Sequence, residues 1–437
     1  MLLTKLTWQL YRRFCSLPIA DLGSFGGQHP VRQRSILAAR LLDQVHYFGT
    51  REDALPEWRE AARIRQPEEL WRIWPSLPVI TKDILNSRFE PVSMARRFKL
   101  HGRVNATGGS TGEPTRFFLD SHMLRASRGG QLYSRLKMGW TPGMATVIVW
   151  GADRDIGKKS PPAQHFARKL YNDRVVPGFA FDDGSVAQVL SIIRAEGPVA
   201  IYGFSSLLEL LAERVLQLGL QPRPGVVAAA WNGGEMLYDS QVELFRRAFG
   251  VPILNRYGGR ELSTMAFQDT AGGSLHILRP WLFLEVLDHA GKPSAPGEMG
   301  RLIWTSTVSR GTPFLRYEIG DLGTYADGDH DESGIRAIHT LHGRSSGCLR
   351  LSDGRAMSCL YWNHLFKDYA EIKGFQVRIQ TDGALRVLLT GRPFGQERDR
   401  HLRASLQHML KETPIRFEWT SEIPKTAQGK LVQVVHE

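Results

Sequence analysis

The sequence predicts an α/β fold whose middle third forms a mostly parallel, doubly wound sheet. Between about residues 146 and 255, short apolar runs alternate with helical segments, which is typical of parallel sheets with right-handed crossovers. The predicted strands end in glycine-marked turns, at Gly151, Gly203, Gly233 and Gly258. Open α/β sheets bind ligands at the carboxyl ends of their strands. Glycines also simply end strands, but the Gly-Gly-Glu and Gly-Gly-Arg-Glu clusters favour one ligand cleft at this edge.

Each element of this region has its own signal. Apolar runs predict strands at 146–150, 199–202, 226–231 and 251–255. Helices are predicted between them, at 186–196, about 206–218 and 240–250. Ser206 and Glu209 have the spacing of a capping box, and Gly219 and Gly250 mark helix ends.

The flanking regions differ from this pattern. Residues 30–100 are predicted to be mostly helical, with Thr81 as the cap of a short helix. After Gly273 the chain is β-rich, and its last part combines strands at 375–379 and 385–389 with a helix at 398–411. We therefore predict a large N-terminal domain, 1–343, with a β-rich subdomain, and a small α+β C-terminal domain, 344–437.

Composition limits the class of protein. A chain of 437 residues is too long for one core, and 42% hydrophobic with 23% charged residues is typical of a soluble globular protein. No apolar run is long enough to cross a bilayer, and Met1 to Phe14 lacks the features of a signal peptide. Three cysteines are too few for a disulfide framework or a zinc site. These features predict a cytoplasmic protein, as a monomer or homodimer.

The formal charge of +12 indicates polyanionic partners. Half of the excess lies in the first hundred residues, with 16 Lys and Arg against 10 Asp and Glu. Nucleic acid is not predicted, because no zinc-finger spacing, RNA-binding aromatic signature or lysine tract is present. ATP and coenzyme A remain as candidates. Near the N-terminus, a basic segment has apolar residues at near-helical spacing, at Leu3, Leu6, Leu10 and Phe14. It is either a helix that contacts a membrane surface or a partner, or an ordinary core helix, and the core helix is favoured.

The loop from Thr107 to Thr115 predicts a phosphate site. Glycines alternate there with hydroxyl residues, so backbone N–H groups and rotatable donors are exposed to an anion. It is not the loop of P-loop NTPases, because no Lys follows Gly112. A flexible surface turn is the alternative interpretation.

Six segments, taken in order, resemble the motifs of the adenylate-forming superfamily, which includes acyl-CoA synthetases, luciferases and peptide-synthetase adenylation domains. They are the Thr107–Thr115 loop, Gly233-Gly234-Glu235, Tyr257-Gly258-Gly259-Arg260-Glu261, Tyr317-Glu318-Ile319-Gly320-Asp321, Gly343-Arg344, and Pro424-Lys425-Thr426 with Gly429-Lys430. The step Tyr202-Gly203-Phe204-Ser205 and the Arg before Glu261 are most similar to the phenylacetate–CoA ligase branch and its CapK-like proteins. The resemblance runs from about Asn105 to the C-terminus.

This resemblance implies a reaction. Family members activate a carboxylic acid with ATP and Mg²⁺ to an acyl adenylate, release pyrophosphate, and pass the acyl group to coenzyme A or another nucleophile. An amide ligase acting on an amine or amino sugar is a close variant, and an adenylyltransferase that leaves AMP on its substrate is a different class. A nucleotide-binding protein without turnover is disfavoured by the presence of both Glu261 and Lys430.

The resemblance also implies roles for single residues. Lys430, Glu261 and Arg344 would be catalytic, with Glu261 as the magnesium ligand. Tyr257 would stack on adenine and Asp321 would accept the ribose hydroxyls. The full nucleotide-binding set is Thr107, Gly108, Gly109, Ser110, Thr111, Gly112, Gly233, Gly234, Glu235, Asn255, Tyr257, Gly258, Gly259 and Asp321. Bulky residues at the strand ends would line the acyl pocket and suggest an aromatic acid: Trp150, Tyr202, Phe204 and Trp231.

Plainer interpretations remain open for each of these residues. Glu261 and Arg344 would otherwise be surface charges, Tyr257 a core-edge residue, Asp321 a turn aspartate and Lys430 a tail lysine. In the family the small domain rotates between two steps, and Gly343 to Gly347 is the pivot that the resemblance implies. The sequence departs from the family pattern at Ser346, where Asp is usual, and at Thr115, where a basic residue is common; Arg116 is the candidate substitute for the latter.

Overall fold

The computed structural model describes residues 20–107, 115–150, 168–169, 171–178, 182–344, 349–350, 356–357, 362, 366, 369, 371–382, 384–410, 413–424 and 431–436. The chain divides into two compact units. The first comprises Met1–Ile319 with Thr324–Thr340, and the second Gly320–Gly323 with Leu341–Glu437. The domain functions predicted from the sequence, including a mobile C-terminal domain, stay predictions.

Short helices fill the first part of the chain, as predicted. They are α1 (Pro30–Gly49), α2 (Pro56–Ala61), α3 (Pro67–Ile73), α4 (Lys82–Arg88) and α5 (Pro91–Arg97). Four of them begin with proline, whose fixed φ and missing N–H suit the first helical turn. Thr81 caps α4 as predicted, because its side chain accepts a hydrogen bond from the N–H of Ile84.

The central sheet of the first unit confirms the predicted α/β fold. Its strands are β3 (Ala145–Trp150), β4 (Asp173–Pro177), β5 (Val199–Gly203), β6 (Val227–Asn232) and β7 (Ile253–Leu254), all parallel in the order β4-β3-β5-β6-β7. The connecting helices are α7 (Asp183–Glu196), α8 (Ser205–Gln217) and α9 (Asp239–Phe249). They pack on the sheet over a core of aliphatic residues that includes Val147, Val149, Ile201, Leu208 and Val227. The carboxyl ends of β3, β5, β6 and β7 therefore lie side by side.

Two elements near this sheet were not predicted. The edge strand β4 was missed because its apolar content is only two valines between charged residues and a proline. The helix α6 (Ser121–Lys137) was missed because its mean character is polar, although Asp120 caps its first turn.

One predicted capping arrangement is wrong. Helix α8 begins at Ser205 rather than being capped by Ser206 with Glu209. The N–H of Ser206 donates instead to Glu235 Oε2 at 2.9 Å, and Glu209 accepts from Gln241 Nε2 at 2.8 Å. A carboxylate distant in sequence replaces the local cap, which spacing alone does not reveal.

Antiparallel strands occur on both sides of the central sheet in the chain, and two of the later ones include residues of the second unit. The hairpin β1 (Gly102–Ala106) and β2 (Arg116–Asp120) precedes the central sheet. After it come β8 (Arg256–Gly259), β9 (Ser263–Phe267), β10 (Leu275–Ile277), β11 (Leu282–Leu287), β12 (Gly300–Ser306), β13 (Tyr317–Thr324), β14 (His330–Asp331), β15 (Gly334–Ile335), β16 (Ala337–Ile338) and β17 (Thr340–Arg344). The sheet orders are β16-β10-β9-β8, β11-β12-β13-β17 and β14-β15. The β-rich character predicted after Gly273 is thus confirmed.

The second unit has α+β structure. Its strands are β18 (Leu349–Arg350), β19 (Ala356–Met357), β20 (Ile372–Ile379), β21 (Leu385–Gly391), β22 (Ile415–Trp419) and β23 (Val434–His436), and its helix is α10 (Gln396–Leu410). The main sheet has the order β22-β21-β20-β23. Leu402 and Leu406 of α10 pack with Val377, Val387 and Leu389 in its core. Across the part of the chain that the structure describes, no helix has both the length and the hydropathy needed to cross a membrane.

Candidate functional site

The predicted phosphate loop joins β1 to β2. The hairpin pairs Ala106 with Arg116, and two hydrogen bonds between Thr107 and Thr115 close the base of the loop, both at 3.0 Å. One of them runs from the N–H of Thr115 to the Thr107 hydroxyl, which is therefore engaged in the hairpin. Gly108, Gly109, Ser110, Thr111 and Gly112 lie outside the described residues. Arg116, the candidate for contact with pyrophosphate, is exposed beside this base.

Asp120 anchors the hairpin to the rest of the first unit. Its buried carboxylate accepts two hydrogen bonds from the first turn of α6 and two from the N–H groups of Arg310 and Gly311, at 2.7 to 3.1 Å. Four donors on one carboxylate hold the loop-bearing hairpin in a fixed orientation.

Three rings form an aromatic wall at the ends of β3 and β5, namely Trp150, Tyr202 and Phe204. The ring centroids of Trp150 lie 5.1 Å from Tyr202 and 4.0 Å from Phe204. The turn after β6 passes closely over this wall. A Cβ on Gly233 would lie 2.7 Å from the Tyr202 hydroxyl, and one on Gly234, whose φ is +77°, would lie 2.9 Å from Phe204. The Gly-Gly pair is therefore required by this close packing, apart from any contact with a nucleotide.

The fourth predicted pocket residue, Trp231, lies within the packed interior. It is fully buried, with Tyr202 stacked at 6.1 Å and the Arg135 guanidinium 6.0 Å from its ring. Phe204 is also buried, whereas Trp150 and Tyr202 are partly accessible. Trp150 and Tyr202 are thus the partly accessible members of the predicted set, and the lining role of all four stays a prediction.

A cluster of charged side chains lies against Tyr202 and Trp231. Arg135 on α6 binds Asp173 at the start of β4 with nitrogen–oxygen distances of 2.9 and 3.4 Å. Burial raises the pKa of Asp173, and Arg135 opposes that shift. Burial lowers the pKa of Arg256, the first residue of β8. Sequence reasoning missed this cluster because its members lie on three elements separated in the chain.

Asn232 connects the turns that follow three of the strands. This fully buried side chain donates to Ser205 Oγ at 2.9 Å and to the carbonyl oxygen of Glu235 at 3.0 Å, and it accepts from the N–H of Arg256 at 3.0 Å. Glu235 in turn caps α8 through Ser206. The Gly-Gly-Glu segment is thus fixed to its neighbours, and an Asn directly before Gly-Gly at a strand end was the missed sequence signal.

Replacing Asn232 with Ala is expected to destabilise the first unit by about 2 kcal/mol and to weaken ATP binding, because three partners on separate turns lose their hydrogen bonds to this buried side chain. Denaturant unfolding and calorimetric titration with ATP measure the two effects. The matched control is Asn86→Ala, since Asn86 is an exposed asparagine on α4. Equal stability of the two variants would contradict the assigned connection.

Glu261 is a buried carboxylate, so it is not a solvated surface residue. Only 3% of it is exposed, and the Tyr317 hydroxyl donates to its Oε1 at 3.2 Å. Tyr257, four residues earlier, is partly accessible and has its ring 6.0 Å from buried Trp304. Asn255 pairs with Gln268 through its backbone. The Tyr257–Glu261 segment therefore presents one accessible ring and one interior acid on the short strand β8 and its turn.

The second unit contains the remaining described site residues. Arg344 Nε lies 3.1 Å from Asp321 Oδ1, and the carboxylate is mostly buried while the guanidinium is half exposed. Asp321 and Arg344, each predicted to contact the ribose region, therefore pair with one another. Lys430 lies outside the described residues, as does Ser346. Buried Gln376 closes the base of the Lys430 segment, since its amide donates to the carbonyl oxygens of Pro424 at 3.3 Å and Val432 at 2.8 Å.

Comparison with known proteins supports one family. The chain is 25% identical over 254 residues to a phenylacetate-coenzyme A ligase of Thermus thermophilus, covering 57% of this chain and 55% of that protein. It is 23% identical over 245 residues to protein CapK of Staphylococcus aureus, covering 56% and 52%. A 2-hydroxyisobutyryl-CoA ligase in the postadenylation state, in complex with 2-HIB-AMP, superposes with a TM-score of 0.66 at 17% identity over 93% of this chain and 90% of that one. The fold is that of the adenylate-forming enzymes.

The predicted resemblance is thereby confirmed, including its phenylacetate–CoA ligase and CapK-like branch. The chain spans about half the length of these two curated relatives. No family model matches the sequence. The roles of individual residues in this adenylate-forming fold come from the resemblance and from the geometry above.

Proposed function

We propose that the protein is an adenylate-forming ligase. It activates a carboxylic acid with ATP to an acyl adenylate, releases pyrophosphate, and transfers the acyl group to coenzyme A or an amine. The observation that carries this proposal is the buried Glu261, which is held by Tyr317 at the end of the Tyr257–Glu261 segment. Burying a carboxylate costs free energy unless it is paired or binds a cation. If Glu261 served only to stabilise the fold, the accessible ring of Tyr257 four residues earlier, which is predicted to stack on adenine, would have no explanation.

Magnesium is the cation that fits this acid. Among the described residues, no group of three or more His, Cys, Asp or Glu is arranged to hold a metal ion. Mg²⁺ is commonly bound by one or two carboxylates together with substrate phosphates, so a single acid is an adequate donor set. Glu261 would hold the ion, which would neutralise charge on the triphosphate.

The remaining residues supply positioning. Backbone N–H groups of the loop based on Thr107 and Thr115 would bind the β- and γ-phosphates. Asp321 would accept the ribose hydroxyls, and Arg344, which already pairs with Asp321, would contact the ribose or the α-phosphate. Trp150 and Tyr202 would contact the acyl group. The acyl adenylate would then react with a nucleophile in the second step. The formal charge of +12 favours a phosphate-rich acceptor such as coenzyme A for this role.

Exchange of labelled pyrophosphate into ATP tests the first step. A panel of carboxylic acids is expected to stimulate exchange in the presence of Mg²⁺. Mass spectrometry of the products with coenzyme A or amine acceptors then separates a thioester from an amide. Stable AMP attachment to the substrate, without acid-dependent exchange, would instead identify an adenylyltransferase and contradict the ligase.

Glu261→Gln is expected to lower the exchange rate about 100-fold at a limiting Mg²⁺ concentration, because the neutral amide binds the ion weakly. Excess Mg²⁺ should restore part of the rate. The control is Glu243→Gln, which removes an exposed acid on α9 that pairs with Arg246. The magnesium role is wrong if Glu261→Gln leaves the dependence of rate on Mg²⁺ unchanged.

A further inference from the structure

Arg256 places a positive charge on the aromatic wall. Its guanidinium carbon lies 4.3 Å from the centroid of the Tyr202 ring, and the side chain hydrogen-bonds to Tyr202. Its backbone N–H donates to Asn232 at 3.0 Å, so the residue is fixed at both its main chain and its side chain. Stacking of this kind retains the full charge of the guanidinium.

Several arginines, Arg256 among them, act on the single carboxylate of Asp173. Asp173 attracts Arg256, and its carboxylate is also bound by Arg135 through two contacts. Arg168 also acts on Asp173. Burial lowers the pKa of Arg256, Arg135 lowers it further, and Tyr202 and Asp173 oppose these shifts. A partly buried cation beside other arginines is stabilised when an additional anion binds next to it.

We propose that the acid activated by this protein carries a second anionic group and that Arg256 binds that group. The hydrocarbon part of the acid would pack against Trp150 and Tyr202. The inference rests on the proposed function and specifies its substrate class, which is dicarboxylic acids rather than simple aromatic or aliphatic monocarboxylic acids.

The position of Arg256 favours the far end of the acid over the carboxylate that reacts. In parallel α/β sheets, phosphates bind to the loops beyond the strand ends, and the reacting carboxylate must meet the α-phosphate there. The Arg256 guanidinium lies over the Tyr202 ring, next to the rings predicted to contact the acyl group. A molecule with one carboxylate at each end can satisfy both positions at once.

Calorimetric titration with matched acids tests this proposal. Each pair replaces one carboxylate by an isopropyl group of similar size: 4-carboxyphenylacetate with 4-isopropylphenylacetate, and adipate with 6-methylheptanoate. We expect the wild type to bind at least one dianion about 10-fold to 100-fold more tightly than its partner, the range for a hydrogen bond to a charged group. In Arg256→Leu the ratio of the affinity for the dianion to the affinity for its isopropyl partner should fall to about one or reverse. Arg256→Lys should give an intermediate ratio.

Arg246→Leu is the matched control, because it removes an exposed arginine on α9 and should keep the wild-type ratio. Circular dichroism and thermal unfolding establish that each variant is folded. Equal affinity of the wild type for both members of every pair, or an unchanged ratio in Arg256→Leu, would overturn the proposal. Pyrophosphate exchange with the same acids separates it from the proposed function: a charge-dependent affinity without any exchange contradicts the ligase but leaves the anion site in place.

Discussion

Lys430→Ala is expected to lower acid-dependent pyrophosphate exchange about 1,000-fold while ATP binding stays within about twofold of the wild type. An ammonium aimed at the α-phosphate and the carboxylate would act where negative charge develops in the transition state. Removing it therefore affects the rate far more than ground-state affinity. The measurements are pyrophosphate exchange and calorimetric titration with ATP.

The control for this variant is Lys373→Ala, which removes an exposed lysine from β20 of the same unit. It has the same change in charge and should retain full exchange. Gln376→Leu is expected to give an exchange rate between those of the wild type and Lys430→Ala. It removes the two hydrogen bonds that close the base of the Lys430 segment but keeps the Lys430 ammonium. Exchange by Lys430→Ala at the wild-type rate would exclude this lysine from the first step.

Periodicity predicted the central fold well because each strand and helix there has a clear apolar pattern within its own segment. The runs 146–150, 199–202 and 226–231 became β3, β5 and β6 within a residue or so, and Gly250 closes α9 in the left-handed conformation. Failures occurred where tertiary contacts replaced local ones. The cap of α8 comes from Glu235, and β4 forms because β3 leaves an edge for it to pair with.

The candidate site was only partly accessible to sequence reasoning. Motif order singled out Glu261, Asp321 and Arg344, whose roles stay predictions, and the structure adds that Asp321 and Arg344 pair with one another. Motif order did not identify Asn232, Arg256 or the bond from Tyr317 to Glu261, because these depend on which side chains meet across strands that are distant in the chain. Bulky residues at the predicted strand ends suggested an aromatic acid, whereas the charge of Arg256 on the wall became visible only with the structure.

Arg316→Met is expected to destabilise the first unit by about 4 kcal/mol, since it leaves a buried carboxylate without its partner. Arg316 is 2% exposed and binds Glu285 through two contacts, at 2.9 and 3.0 Å. It also donates to the carbonyl oxygens of Pro75 and Leu77, so it joins the helical N-terminal region to β11. Urea unfolding followed by tryptophan fluorescence measures the free energy of unfolding.

The double variant Arg316→Met with Glu285→Leu separates loss of a partner from loss of packing. We expect it to be more stable than Arg316→Met alone, because no unpaired charge remains in the interior. Burial raises the pKa of Glu285 and Arg316 lowers it, so the single variant should bind a proton at Glu285 more readily. Its folded-state pKa, already above the unfolded value in the wild type, then rises further, and stability should fall over a wider range as pH rises from the unfolded pKa to that folded-state pKa. A single variant as stable as the double one, with no such pH dependence, would show that the carbonyl contacts of Arg316, rather than its ion pair, hold this region together.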